Sequence, residues 1–201
     1  MIRLVLGLWL LLAGFAVSAA DLATSVKGRL ADAPLLRGQF DQQKTVRGFK
    51  KPLASSGDFL LWRGRGVLWH TRQPFELSMT LTPDALSARQ GEAAYRLDAG
   101  QEPGLRAVNE LLFALLSGDM AALQRRFRVE GELVGNSGWK LLLTPLDAQL
   151  ARLLRRVELE GDRYVRRVRL EESNGDASLI RFEQLAEAPP ATPDEARRLG
   201  Q

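Results

Sequence analysis

From Phe59 to Leu81 apolar residues return at every second position. Phe59, Leu61 and Arg63 fall on one face of a strand, and Leu60 and Trp62 on the other. Beyond Gly64-Arg65-Gly66, Val67 and Trp69 again share a face. After Pro74, Phe75, Leu77, Met79 and Leu81 alternate with Glu76, Ser78 and Thr80. Three such runs separated by turn residues predict an antiparallel meander with one apolar face. Arg63 interrupts that face. A guanidinium there either reaches water at a strand end or is buried and satisfied by partners, because a buried unpaired charge is costly.

On either side of the meander the period changes. Leu22, Val26, Leu30 and Ala33 recur at helical spacing, with Pro34 as the stop. Leu35 to Val46 reads as a strand with Leu36 and Phe40 inward, and Arg47 to Ser56 as a basic surface hairpin loop. A short hairpin is expected around Gln90-Gly91-Glu92. Leu105, Val108, Leu111, Leu112, Leu115 and Leu116 then repeat at three and four, which predicts a helix closed by Gly118. That helix has almost no polar face, so it is either buried on several sides or placed over an apolar cavity. Asp119 is positioned to cap a second short helix through Phe127.

Further on, Arg128–Val134 and Trp139–Leu143 flank a hairpin turn, with Trp139, Leu141 and Leu143 on one face. Ala148–Leu154 reads as one or two helical turns. Arg156–Glu160, Tyr164–Glu171 and Ser178–Gln184 complete the strands, and the proline-rich, charged tail 188–201 is expected to fray. The total is about ten antiparallel strands, an N-terminal helix and a central apolar helical insertion.

The first twenty residues are different in kind. Arg3 precedes an apolar run from Leu4 to Val17 and the small residues Ser18-Ala19-Ala20, which is the layout of a secretory signal peptide with cleavage after Ala19 or Ala20. Residues 1–20 are therefore read as the signal and 21–201 as a single domain. Of 201 residues, 28 are basic and 24 acidic, a formal charge of +4 that falls to +3 when Arg3 leaves with the signal. This balance favours weak association with anionic membrane surfaces and does not point to nucleic acid.

Catalytic chemistry is sparse. The chain has no cysteine and a single histidine, His70, so disulfides, thiol nucleophiles and thiolate metal sites are excluded. Any metal site would be nearly all carboxylate, and no acidic cluster has suitable spacing. No phosphate-cradling glycine loop or nucleophile elbow occurs. The expectation is no enzyme, no cofactor and no metal.

The run Gln39-Phe40, with Gln42, then Gly57-Asp58-Phe59-Leu60-Leu61-Trp62-Arg63, then Val67-Leu68-Trp69, resembles the LolA family of periplasmic carriers of outer-membrane lipoproteins. Phe40 and Gln42 match its Phe-x-Gln, Gly57 and Arg63 its glycine-led strand ending in arginine, and Trp69 its Phe-x-Trp. Gly64 stands where the family has proline, and Val67 where it has phenylalanine. The resemblance implies an α+β fold: a curved antiparallel sheet forming an open half-barrel, covered by helices as a lid over a hydrophobic cavity. It implies that Phe40, Phe59, Leu61, Val67, Trp69, Phe75, Leu77, Met79, Leu111, Leu112, Leu115 and Trp139 line that cavity. Arg63 would latch the lid through its carbonyls. The implied partners are an acylated lipoprotein or other lipid as cargo, an inner-membrane ABC transporter or other exporter as donor, and an outer-membrane acceptor, with the carrier a soluble periplasmic monomer. The same half-barrel also occurs in periplasmic sensors of lipoproteins, which is the alternative function.

Overall fold

The computed structural model describes residues 19–98, 113–114 and 118–200. Eleven antiparallel strands form one sheet: β1 (Leu35–Thr45), β2 (Leu53–Trp62), β3 (Gly66–Gln73), β4 (Leu77–Leu81), β5 (Ala85–Gln90), β6 (Ala93–Asp98), β7 (Phe127–Val134), β8 (Gly138–Pro145), β9 (Leu154–Gly161), β10 (Val165–Glu172) and β11 (Ala177–Ala186). Among the described residues these helices accompany them: α1 (Ala19–Arg29), α2 (Met120–Arg126), α3 (Ala148–Ala151) and α4 (Pro193–Arg198), with 113–114 also helical.

The strand order is β6-β5-β4-β3-β2-β1-β11-β10-β9-β8-β7. Two meanders thus run outward from the centre, and the first and last strands join them. Phe40 stands opposite Gly57 on one side and Phe182 on the other. β6 and β7 form the two free edges, so the sheet curves without closing. At the seam β11 carries a bulge, Gly38 of β1 facing both Gln184 and Leu185 of β11, with Gln184 at a φ of 50°. Such a bulge bends and twists a strand locally. The glycine that leads the Gly57–Trp62 run has a steric reason: a Cβ there would overlap the carbonyl oxygen of His70 on β3.

Alternation decides the faces. Leu36 and Phe40 of β1, Phe59 and Leu61 of β2, Val67 of β3 and Leu81 of β4 point inward with Trp139, Leu141, Leu143, Val157, Leu159, Val168, Ile180 and Phe182. On that concave side α1 contributes Leu22, Ala23 and Val26, and α2 contributes Met120 and Leu123. Asp119 caps α2 by accepting the Ala122 N–H at 3.0 Å, as its position before the apolar pattern predicts. Arg29, in the last turn of α1, donates to the carbonyls of Gly135 (3.1 Å) and Gly138 in the β7–β8 turn. Trp139 lies across Gly161 of β9, where a Cβ would collide with its ring, and donates its indole N–H to the Asp162 carbonyl at 2.8 Å.

The tail corrects the expectation of fraying. Residues 192–198 form α4 under a full capping box: the Thr192 side chain accepts the Glu195 N–H, and the Glu195 carboxylate accepts the Thr192 N–H. Leu199 is buried on the convex side with Leu35, Leu60 and Leu68, beside Trp62. Arg37 grips both Glu195 oxygens at 2.7 and 2.8 Å and the carbonyls of Pro189 and Pro190 at 2.9 Å. This fork holds the Glu195 carboxyl at about 2, far below its ordinary 4.5. The second apolar face of β2 thus has a partner that alternation within the strand could not name.

Candidate functional site

The residues expected along an apolar cavity fall into four environments. Phe40, Phe59, Leu61, Val67 and Trp139 are buried in the main core. Trp69, Leu77 and Met79 are half-buried on the concave face, with Trp69 and Met79 packed against the core's edge. Phe75 departs from the pattern: β4 begins at Leu77, and Phe75 stands in the β3–β4 turn, 73% exposed. The strand period does not reach Phe75, because pairing of β4 with β3 begins only at Leu77. Leu111, Leu112 and Leu115 lie outside the described residues.

Trp69 organises the open part of the concave face. Its ring stacks on Phe40 with centroids 3.9 Å apart and lies 6.0 Å from Phe59. Phe182 meets Phe59 edge-on at 5.2 Å and Trp69 at 6.2 Å. The four rings come from β1, β2, β3 and β11, so the seam between the meanders is lined by aromatics in offset and edge-to-face contact. From Trp69 the face continues to Met79 and then to Ala88, the residues directly opposite one another in β3, β4 and β5. Leu86 is half-buried beside them. Phe182 and Leu86 were not among the expected cavity residues. Only the β1–β11 pairing brings Phe182 to Trp69.

β2 ends at Trp62, and Arg63 stands just past it in the β2–β3 connection, exposed. Its guanidinium pairs with the Asp32 carboxylate between α1 and β1, and its N–H donates to the Pro34 carbonyl at 2.9 Å. Among the described residues its side-chain partner is an acid, and the helix whose carbonyls the family resemblance implies for it lies almost wholly outside them. Leu30, Ala33, Leu36 and Leu61 line a small crevice beside it.

The convex side is chemically different. His70 lies there between Asp58 at 3.6 Å and Glu76 at 3.2 Å, and Arg72 binds Asp58 at 2.7 Å. A groove of about 720 Å³ is lined by Ser78, Thr80, Ser87, Arg89, Arg96 and Arg198, with Ala88, Ala94 and Tyr95 among its apolar members. Among the described residues no group of three or more acids and histidines is arranged to hold a metal ion. No helix among them is long and apolar enough to cross a membrane.

Several solved structures are similar to the chain. A LolA superfamily protein from Nitrosomonas europaea aligns at 12% identity and a TM-score of 0.48, over 90% of this chain and 97% of that one. A DUF1329 family protein from Desulfovibrio piger aligns at 11% identity and 0.49, over 87% and 93%. The Pseudomonas aeruginosa MucA/MucB complex aligns at 19% identity and 0.38, over 86% of this chain and 60% of that one. A search of curated proteins finds no match. Residues 13–190 match the family model described as outer membrane lipoprotein carrier protein LolA-like, and the chain belongs to that family.

Proposed function

We propose that this protein is a periplasmic carrier that holds the acyl chains of a lipoprotein, or of another lipid, against the concave face of the sheet and ferries them from the inner to the outer membrane. The observation that carries the reading is the set of half-buried apolar side chains Trp69, Leu77, Met79 and Leu86 beside an otherwise closed core, in a chain of this family. An acyl chain laid on that face gains about 0.8 kcal/mol per buried methylene, with no covalent step. Phe40, Phe59, Leu61 and Val67 form the floor beneath it and Trp69 its aromatic wall; Trp139 supports the floor from the other meander. Release to an acceptor requires that this affinity stay modest, so a face that is only partly open suits a transient carrier. Residues 1–20 direct export and are removed. The donor is an inner-membrane exporter, the acceptor an outer-membrane protein, and the carrier acts as a monomer.

Native mass spectrometry of protein purified gently from its own periplasm tests this. A bound species of acyl-chain mass is expected, and its mass separates triacylated lipoprotein from free lipid. Protein that arrives empty and also fails to take up a fluorescent acyl probe would overturn the carrier reading and leave a lipoprotein-sensing interaction domain.

A further inference from the structure

The end of the sheet that carries the β1–β2 and β3–β4 turns is unusual in its side chains. Phe49, Leu53 and Phe75 are 63%, 53% and 73% exposed there. They belong to one region. β2 pairs with β3 only as far as Ser56 opposite Gln73, so the β1–β2 hairpin projects past the end of β3. Phe75 follows Gln73 by two residues in the β3–β4 turn, Leu53 precedes Ser56 by three in β2, and Phe49 sits in the β1–β2 turn. Leu53 has the parity of Phe59 and Leu61 within β2. An apolar position of the concave face of β2 and two turn aromatics therefore stand in solvent at this end. Large apolar side chains gathered on protruding turns call for a partner, whereas scattered ones do not.

The cations around them indicate which partner. Arg47, Lys50 and Lys51 bracket Phe49, all three exposed, and among the described residues their side chains make no ion pair. A protein partner is a poor fit, since lysine is depleted at protein interfaces and their anchors fill pockets. Phe49 flanked by these cations suits a bilayer interface, where rings enter the headgroup region and cations meet anionic lipid, while Phe75 is followed by Glu76, whose carboxylate lies 3.2 Å from His70.

We propose that this end of the sheet, Phe49, Leu53 and Phe75 with Arg47, Lys50 and Lys51, is a docking surface for an anionic phospholipid bilayer. It lies at the opposite end of β2 from Arg63 and Asp32. Contact there brings the outer rim of the apolar face to the membrane that supplies or receives a lipid. Docking stands whether or not the concave face carries cargo, because the exposed end contains no residue of the Trp69–Met79 surface.

Sedimentation with vesicles tests the proposal. The purified protein should bind vesicles of phosphatidylcholine containing phosphatidylglycerol, bind pure phosphatidylcholine weakly, and lose most binding at high salt. Phe49→Ser/Phe75→Ser and Lys50→Ser/Lys51→Ser should each weaken binding at least about tenfold. The opposite-end variant Leu133→Ser/Arg65→Ser should bind as the unaltered protein does. Acyl-probe uptake, measured without vesicles, should persist in all three variants and reports separately on the carrier reading. Absence of vesicle binding, binding unchanged in both docking variants, or equal loss in the opposite-end variant would overturn the proposal. So would exposed-end variants that bind vesicles normally but lose capture of a membrane protein.

Discussion

Trp139, Leu143, Val157 and Leu159 in β8 and β9, and Trp69, Leu77 and Met79 in β3 and β4, project from the same side of one sheet. The first set is sealed, while the second is half-buried. The difference lies in the covering layer. α1 and α2 pack on β7 and on each other, and Arg29 ties the end of α1 to the β7–β8 turn. On the other side of the seam the described helices leave Trp69 and Met79 at the margin of the core. The same alternation thus produces a sealed core in one meander and a half-buried apolar surface in the other.

Substitution in the two halves should separate these roles. Leu143→Ala, at a fully buried position, should lower stability by about 2–5 kcal/mol, read as a drop in the denaturation midpoint, and leave acyl-probe affinity of the folded fraction nearly unchanged. Met79→Glu should do the reverse. It is expected to change stability by about 1 kcal/mol, since a half-buried side chain can turn its carboxylate to water, and to abolish acyl-probe uptake. Equal stability losses at the two sites would erase the distinction between the halves.

The convex strap offers a sharper control, because it packs on the β1–β3 region from the side opposite Trp69 and Met79. Glu195→Gln removes one partner of a two-pronged, charge-assisted pair and should cost about 1–2 kcal/mol without altering probe uptake. The pair also sets a pH window. The Glu195 carboxyl falls from 4.5 to about 2 on folding, so its contribution is complete above about pH 4.5 and is lost as pH falls through about 2. Thermal midpoints measured across that range should fall more steeply for the unaltered protein than for Glu195→Gln; parallel curves would remove the pair from the account. Arg63→Leu should have the smallest effect on stability, under about 1 kcal/mol, because the pair with Asp32 is largely exposed. If Arg63 retains the latch role that the family resemblance implies, release of the acyl probe to acceptor vesicles slows several-fold. Unchanged release would leave it a surface ion pair.

The periodic residues themselves determined much of this protein. Period-two alternation places Phe40, Phe59, Leu61, Val67, Trp139 and Leu143 inward because a strand has only two faces and water is excluded from one. Asp119 before an apolar helical pattern marks a cap for the same local reason. Elements within about ten residues of each other were therefore legible, and the order of short motifs carried the family. Tertiary structure alone decided what depends on distant partners. It set Phe182 against Trp69 through the β1–β11 seam, laid α4 over Leu60 and turned Arg63 to Asp32. It also left Phe75 in solvent, because the inward parity of a residue matters only where strands still pair. Which half of the concave face is sealed was likewise invisible in any single strand, since burial there depends on two helices that arrive from elsewhere in the chain.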